Sequence, residues 1–319
     1  MEQIALDIHT HQVPVDEAAL ASIDGVAWDA NASALIVDGH KIGMKPLFEP
    51  ETLIEWLDEN RIGSAWISAP PPLYRQHLDE AEAARWVEYV NTGLAAIARR
   101  RSDRLMALPH LPIEHPDLAD KIATQAIAAG QRHFSSPSGG PGRILSDPVY
   151  DPLWKTLDGA AAFVLLHPGE NDDARLEPFY LSNLLGNPYE TTVAIAHLVF
   201  GGVIERFPRI TFCFAHGGGA AAMLAGRFEQ GFRTNRPGVD VSLPSPRAQL
   251  RRITVDCVTH DVDALRLAEK VFGADHVLFG SDWPFPMGLM RPHAELGALS
   301  PEEHERIYRA NTVLLGSRG

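Results

Sequence analysis

Eight short apolar runs, each followed by a stretch with helical character, set the strongest limit on what this chain can fold into. They lie at 4–8, 64–69, 104–111, 131–136, 161–169, 209–219, 251–260 and 276–285. Between them the apolar spacing turns helical. In the segment 50–63, Leu53, Ile54, Trp56 and Leu57 form one stripe, with Pro50 near its start and Gly63 just past its end, as helix boundaries prefer. Residues 79–101 read as a helix with Ala81, Ala84, Trp86 and Val87 as burial candidates; 115–130, 149–158, 188–207 and 302–315 also read as helical. The strands are apolar nearly throughout rather than alternating, the mark of strands covered on both faces. Eight successive β-then-α units predict an α/β fold, a distorted (β/α)8 TIM barrel, over a doubly wound open sheet. No domain boundary breaks 1–319, so one domain is expected. Insertions at 12–50 and 168–190, after strands one and five, fall on the catalytic face of such a barrel, where they can form a lid or a small subdomain; 231–250 is a third irregular stretch.

Charge and cysteine usage narrow the function. Lys and Arg total 28 against 41 Asp and Glu in 319 residues, a net −13, which argues against a broad nucleic-acid surface. Two cysteines, Cys213 and Cys257, lie inside apolar strands; they make no disulfide framework and read as inert buried thiols. No uncharged apolar run reaches 18 residues, so no membrane span is expected. The opening MEQIALDIHTH has neither the basic start nor the apolar core of a secretory signal. A cytoplasmic enzyme with a small-molecule substrate is the expectation.

The chemistry gathers at strand ends. His9 and His11 are two apart, a spacing that puts both side chains on one face of a strand. His167 ends FVLLH before Pro-Gly, His216 ends CFAH before three glycines, and Asp282 ends LFGSD before Trp-Pro. A barrel places its catalytic groups where strands give way to loops, and buried His or Asp is costly unless paired or liganded. Three imidazoles and one carboxylate suit Zn2+, with Mn2+ also compatible. One histidine is then left to move protons.

The segments DIHTH, LLHPG, the run from Asn187 to Gly219 and GSDWPFP together resemble the amidohydrolase-related family, in particular the branch containing 2-amino-3-carboxymuconate-6-semialdehyde decarboxylase. The resemblance spans essentially the whole chain and is densest over 161–290. It implies a metal-dependent TIM barrel that decarboxylates an unsaturated or aromatic acid without oxidation. By motif it assigns His9, His11, His167 and Asp282 as metal ligands and His216 as the unliganded catalytic base. It also implies a homodimer in which Arg227, in the GR dipeptide after HGGG, reaches the neighbouring subunit's substrate. This chain departs from the branch in three places, one being Ala220-Ala221-Ala222 after HGGG, where a bulkier aromatic-containing run is usual. The loop after strand one carries Lys41 and Lys45 but no Arg, and Lys lacks the bidentate fork of Arg. Asn183 stands near the position of an active-site Trp. The substrate is therefore expected to be an anionic acid other than the muconate semialdehyde.

Hydrolysis of a lactone, ester or amide, or a hydratase reaction, is the rival use of the same groups, with Asp282 as general base. Lys41 and Lys45 are candidates for a substrate carboxylate. Trp283 and Phe285 line either the pocket or the core. His110 reads as pocket-lining or as a core histidine, and the His260-Asp261 pair after strand seven carries no assigned role.

Overall fold

In the computed structural model, residues 2–140, 142–169, 171 and 173–312 are described. The chain opens on β1 (Ile4–His11) and then inserts β2 (Val26–Asp29), β3 (Ala34–Val37) and β4 (His40–Ile42). The remaining strands are β5 (Ile62–Ser68), β6 (Leu105–Ala107), β7 (His133–Pro137), β8 (Phe163–His167), β9 (Thr211–Phe214), β10 (Thr254–Asp256) and β11 (Val277–Leu278). Two parallel sheets form, β1-β5-β6 and β7-β8-β9-β10-β11. They meet at both seams. His110 bridges Ser135 between β6 and β7, and Thr10 bridges Trp283 beyond β11. The Ile8 amide also donates to the Phe279 carbonyl at 3.1 Å. Eight parallel strands thus close into the distorted barrel that the repeating pattern predicts.

A plug of Ile8, Trp66, Leu108, Phe163, Leu165, Cys213 and Leu278 fills the barrel, separate from the larger core between strands and helices. Its members precede the polar strand-end groups in the chain: Ile8 before His9 and His11, Leu165 before His167, Cys213 before His216, Leu278 before Asp282. The dry plug is therefore a floor, and the polar groups stand on it.

The helix Glu80–Arg100 begins in a capping box between Asp79 and Glu82 and ends in Arg99 and Arg100, which complement the helix dipole. Its buried face runs through Ala83, Trp86, Val87, Val90, Leu94 and Ile97. Ala83 therefore takes the place expected of Ala81, which is exposed, and Ala84, which is half-buried; the 3.6-residue period extended back from Trp86 and Val87 selects it. The helix expected over 188–207 is two, Asn187–Phe200 and Val203–Arg206, parted at Gly202, whose φ of +67° ends the first. The closing helical stretch is Pro301–Glu305 followed by a wider turn at Arg306–Ala310; its expected extension past 312 lies outside the described residues.

The first insertion is a small antiparallel sheet, β2-β3-β4. The buried Arg75 guanidinium grips Asp38, just past β3, through Nε and Nη2 at 2.8 and 2.7 Å, and holds that carboxyl below its usual range. The second insertion coils through short turns at Ala174–Leu176, Pro178–Tyr180 and Ser182–Gly186. Cys213 and Cys257 are free and buried, and burial pushes both thiols up, away from reactivity. Among the described residues no helix is long and apolar enough to cross a membrane.

Candidate active site

The register of β1 against β5 shifts between Asp7 and Thr10. Past Ile8 of the plug, His9 and His11 come to face one another, Nε2 to Nε2 at 3.1 Å. His167, at the end of β8, brings its ring centroid to 5.0 Å from His9 and 5.1 Å from His11. Asp282 Oδ1 lies 3.1, 3.4 and 4.0 Å from the Nε2 atoms of His11, His9 and His167. All four residues are buried, and their donor atoms lie within 4.8 Å of one another.

The other nitrogen of each ring is spoken for. Nδ1 of His9 meets Asp256 Oδ2 at 2.7 Å, Nδ1 of His11 meets Ser68 Oγ at 3.2 Å, and Nδ1 of His167 donates to the Pro168 carbonyl at 2.9 Å. With Nδ1 engaged, Nε2 is turned inward as a lone pair. Burial lowers the pKa of His11, and it lowers that of His167 further, helped by the nearby His216 ring; both are neutral, as ligation requires. Burial also opposes charge on His9, but its hydrogen bond to Asp256 and the charge of Asp282 outweigh it and raise the pKa. Burial opposes charge on Asp282 as well, and its hydrogen bonds to His11 and His216 hold it well below the carboxylate range.

This donor set fits a divalent cation. The buried Nε2 of His167 has no hydrogen-bond partner, and the inward nitrogens of His9 and His11 are at the spacing of two donors each about 2.1 Å from a single ion. Three imidazoles and a carboxylate suit zinc or manganese by ligand type.

His216 stands beside this cluster. It lies in the left-handed region at φ +56°, a strained conformation for a residue with a side chain, and its Nε2 is 3.4 Å from Asp282 Oδ2. A cavity of about 440 Å³ opens over His216 and Asp282, lined also by Asn183, Asn187, Met223, Thr259, His260 and Met287. His260, without an assigned role in the sequence, faces this space.

The remaining predicted residues scatter. Phe285 sets its ring 5.4 Å from His11, edge-on. Trp283 does not line the cavity; it is buried in the main core, 6.1 Å from Trp56, because its backbone bridges Thr10 and turns the indole toward the helices. Lys41 is exposed on β4, and Lys45 pairs with Glu49 at 3.1 Å on the surface; neither lines this cavity. Arg227 is exposed on the helix Ala221–Arg233. His110 is a core group, stacked on Tyr74 at 4.9 Å, its pKa lowered to about 3 by burial.

Two carboxylates escaped the sequence reading. Asp7 accepts the His9 and Ser281 amides on Oδ1, and burial pushes its pKa up to about 7. Asp256 meets the ring of His9. The sequence does not mark it as a strand end, since apolar Cys257 and Val258 follow it; the structure ends β10 there.

With this geometry the relationships to known proteins become specific. The sequence pattern of the amidohydrolase family matches residues 6–313, and the chain belongs to that family. It is 28% identical over 302 residues to 2-amino-3-carboxymuconate-6-semialdehyde decarboxylase of Dictyostelium discoideum, covering 91% of this chain and 84% of that protein. It is 26% identical over 258 residues to gamma-resorcylate decarboxylase of Rhizobium radiobacter, covering 74% and 76%. Its fold matches 5-carboxyvanillate decarboxylase of Novosphingobium aromaticivorans, solved in complex with manganese and 4-hydroxy-3-methoxy-5-nitrobenzoic acid. That match has a TM-score of 0.77 at 17% identity, over 97% of this chain and 95% of that one.

Proposed function

We propose that this chain is a metal-dependent carboxy-lyase that releases CO2, without oxidation, from a small aromatic or unsaturated carboxylic acid. The observation that carries the reading is the convergence of His9, His11, His167 and Asp282 into one buried cluster, with Asp282 and the adjacent His216 lining a cavity. The decarboxylases among its relatives favour this use of the site over hydrolysis. The departures at Lys41, Lys45 and Asn183 favour an acid other than the muconate semialdehyde.

His9, His11, His167 and Asp282 would hold the ion, Zn2+ or Mn2+, which when bound supplies Lewis acidity to the pocket floor. The chain's own groups do the rest. His216 carries a proton at Nε2, within reach of the cavity and steadied by Asp282 Oδ2, and an imidazole is matched to proton transfer near neutral pH. The electrons left behind by CO2 require a conjugated carbonyl or a phenol in the substrate. Phe285 packs edge-on to His11 and against the main core, bracing that ligand. Measuring CO2 from a panel of hydroxybenzoates and carboxymuconate-like acids tests the assignment. Opening of lactones or esters, with no CO2 from any acid, would replace it by the hydrolase reading.

The working unit we propose is a cytoplasmic homodimer, with all 319 residues acting as one catalytic domain. Met223 and Leu184 line the cavity yet are largely exposed, and Phe179, Tyr180, Leu185 and Tyr189 are exposed apolar groups of the same segment. Arg227 is one helical turn from Met223 and has no ion pair among the described residues. A second copy would cover these apolar groups and receive Arg227 beside its own substrate. Neither Arg227→Ala nor His216→Ala alone should turn over. Mixed and reassembled in equal amounts, they are expected to recover about a quarter of wild-type activity, because half of random dimers then hold one intact site. No recovery in a mixture whose subunits demonstrably exchange would place Arg227 in its own subunit's site or outside any site.

A further inference from the structure

We infer that Asp256 is a positioning residue that ties the metal ligand His9 to the turn carrying His216, so that one carboxylate sets the geometry of both halves of the site. The inference rests on the reading of His9 as a ligand and His216 as proton carrier, and it adds a group that neither the cluster nor the cavity includes.

Asp256 ends β10 and is wholly buried. Oδ2 takes the His9 ring at 2.7 Å. Oδ1 accepts two backbone amides, Gly217 at 2.9 Å and Val258 at 3.0 Å. Three separate parts of the barrel therefore converge on it: β1, the turn after β9, and the loop after β10. A buried carboxylate with so many donors is stable because it accepts on both oxygens.

Each contact has a consequence at the site. Accepting from Nδ1 fixes the His9 tautomer and leaves Nε2 as the lone pair that faces His11 and Asp282. Accepting from Gly217 pins the residue after His216. His216 and Gly217 are both left-handed, at φ +56° and +61°, and such a turn persists only where its surroundings hold it. The segment just after β11 makes room for the arrangement. A Cβ at Gly280 would fall 2.9 Å from the Cβ atoms of both Asp256 and His9, so only glycine lets the pair close.

Asparagine cannot substitute. Its amide presents NH2 on one side, so either the His9 Nδ1 proton or the two backbone N–H groups would face a donor. A merely structural carboxylate would move stability alone; a positioning carboxylate must move metal affinity and the mobility of the His216 turn at matched stability. The experiment compares wild type, Asp256→Asn, Gly280→Ala and Val255→Ala. The last of these opens a cavity on the same strand but leaves Asp256 and His9 in place; because Val255 Cγ1 packs beside Gly218, it controls for zinc affinity and not for exchange in the turn. Zinc affinity is read by competition with a chromogenic chelator, and backbone hydrogen exchange over residues 213–219 by mass spectrometry.

Asp256→Asn is expected to weaken zinc about 10–100-fold and to speed exchange in the turn. Gly280→Ala, which keeps the carboxylate but wedges it from His9, is expected to weaken zinc in the same direction and serves if Asp256→Asn fails to fold. Val255→Ala is expected to lower the melting temperature with zinc affinity unchanged. Wild-type affinity in both Asp256→Asn and Gly280→Ala, or an equal affinity loss in Val255→Ala, overturns the inference. A wild type that binds neither zinc nor manganese overturns the ligand reading beneath it, a result distinct from the others.

Discussion

His216→Asn is expected to lower turnover by about 10²–10⁴-fold, the usual contribution of a positioned acid or base, while the metal content stays that of the wild type. The separation of the two readouts follows from the geometry. His216 Nε2 is 3.4 Å from Asp282 Oδ2, on the opposite carboxylate oxygen from the one that meets His9, His11 and His167. It borders the cluster without completing it. Asn is polar but shorter, its amide reaching only to the position of Nδ1, and it cannot carry a proton between substrate and pocket. Substrate binding is expected to change much less than turnover, because the cavity wall keeps its shape. Metal lost together with activity would make His216 a ligand; retained turnover would remove it from the chemistry.

Much of this was legible in the sequence, and the reasons are local. Strands covered on both faces read as apolar runs, and a polar group that ends such a run has few explanations other than a site. That logic pointed to His9 and His11 at the end of one strand and to His167, His216 and Asp282 each at the end of its own apolar run. It failed where the answer depends on what lies across the barrel. Asp256 lies inside the apolar run 251–260 rather than at its end, and its partner is His9, 247 positions away, which no spacing rule reports. Trp283 follows Asp282 directly and was a pocket candidate for that reason, but the backbone pairing with Thr10 turns it into the core. Lys41 and Lys45 were judged by charge alone. Whether a surface Lys reaches a substrate depends on how the β2-β3-β4 sheet packs, and Lys45 is engaged with Glu49 instead.

Asp282→Ala is expected to lose the metal and, with it, the stabilisation that the metal gives the fold. Asp282 Oδ1 lies within 4.0 Å of all three inward ring nitrogens, and it supplies the negative charge among the four donors. Removing it leaves three imidazoles whose nitrogens face one another with little to balance a cation, so the loss of affinity should exceed the roughly 10–100-fold typical of changing a ligand's hydrogen-bond partner. In the wild type, saturating metal at about 100 times its dissociation constant adds about 2.7 kcal/mol to the folded state. Chelation should therefore lower the wild-type melting temperature by several degrees and leave that of Asp282→Ala nearly unchanged. The pH dependence of metal binding carries a second signature. Burial already keeps His11 and His167 neutral, so His9, with its pKa raised despite burial by Asp256 and Asp282, is the ligand that must give up a proton. The protonated form competes with the metal below that pKa. Affinity should rise with pH by about tenfold per unit through that range and then level off, a slope of one proton. A slope near three would mean that all three rings are charged in the metal-free protein, and that the pocket does not hold its ligands ready for the ion.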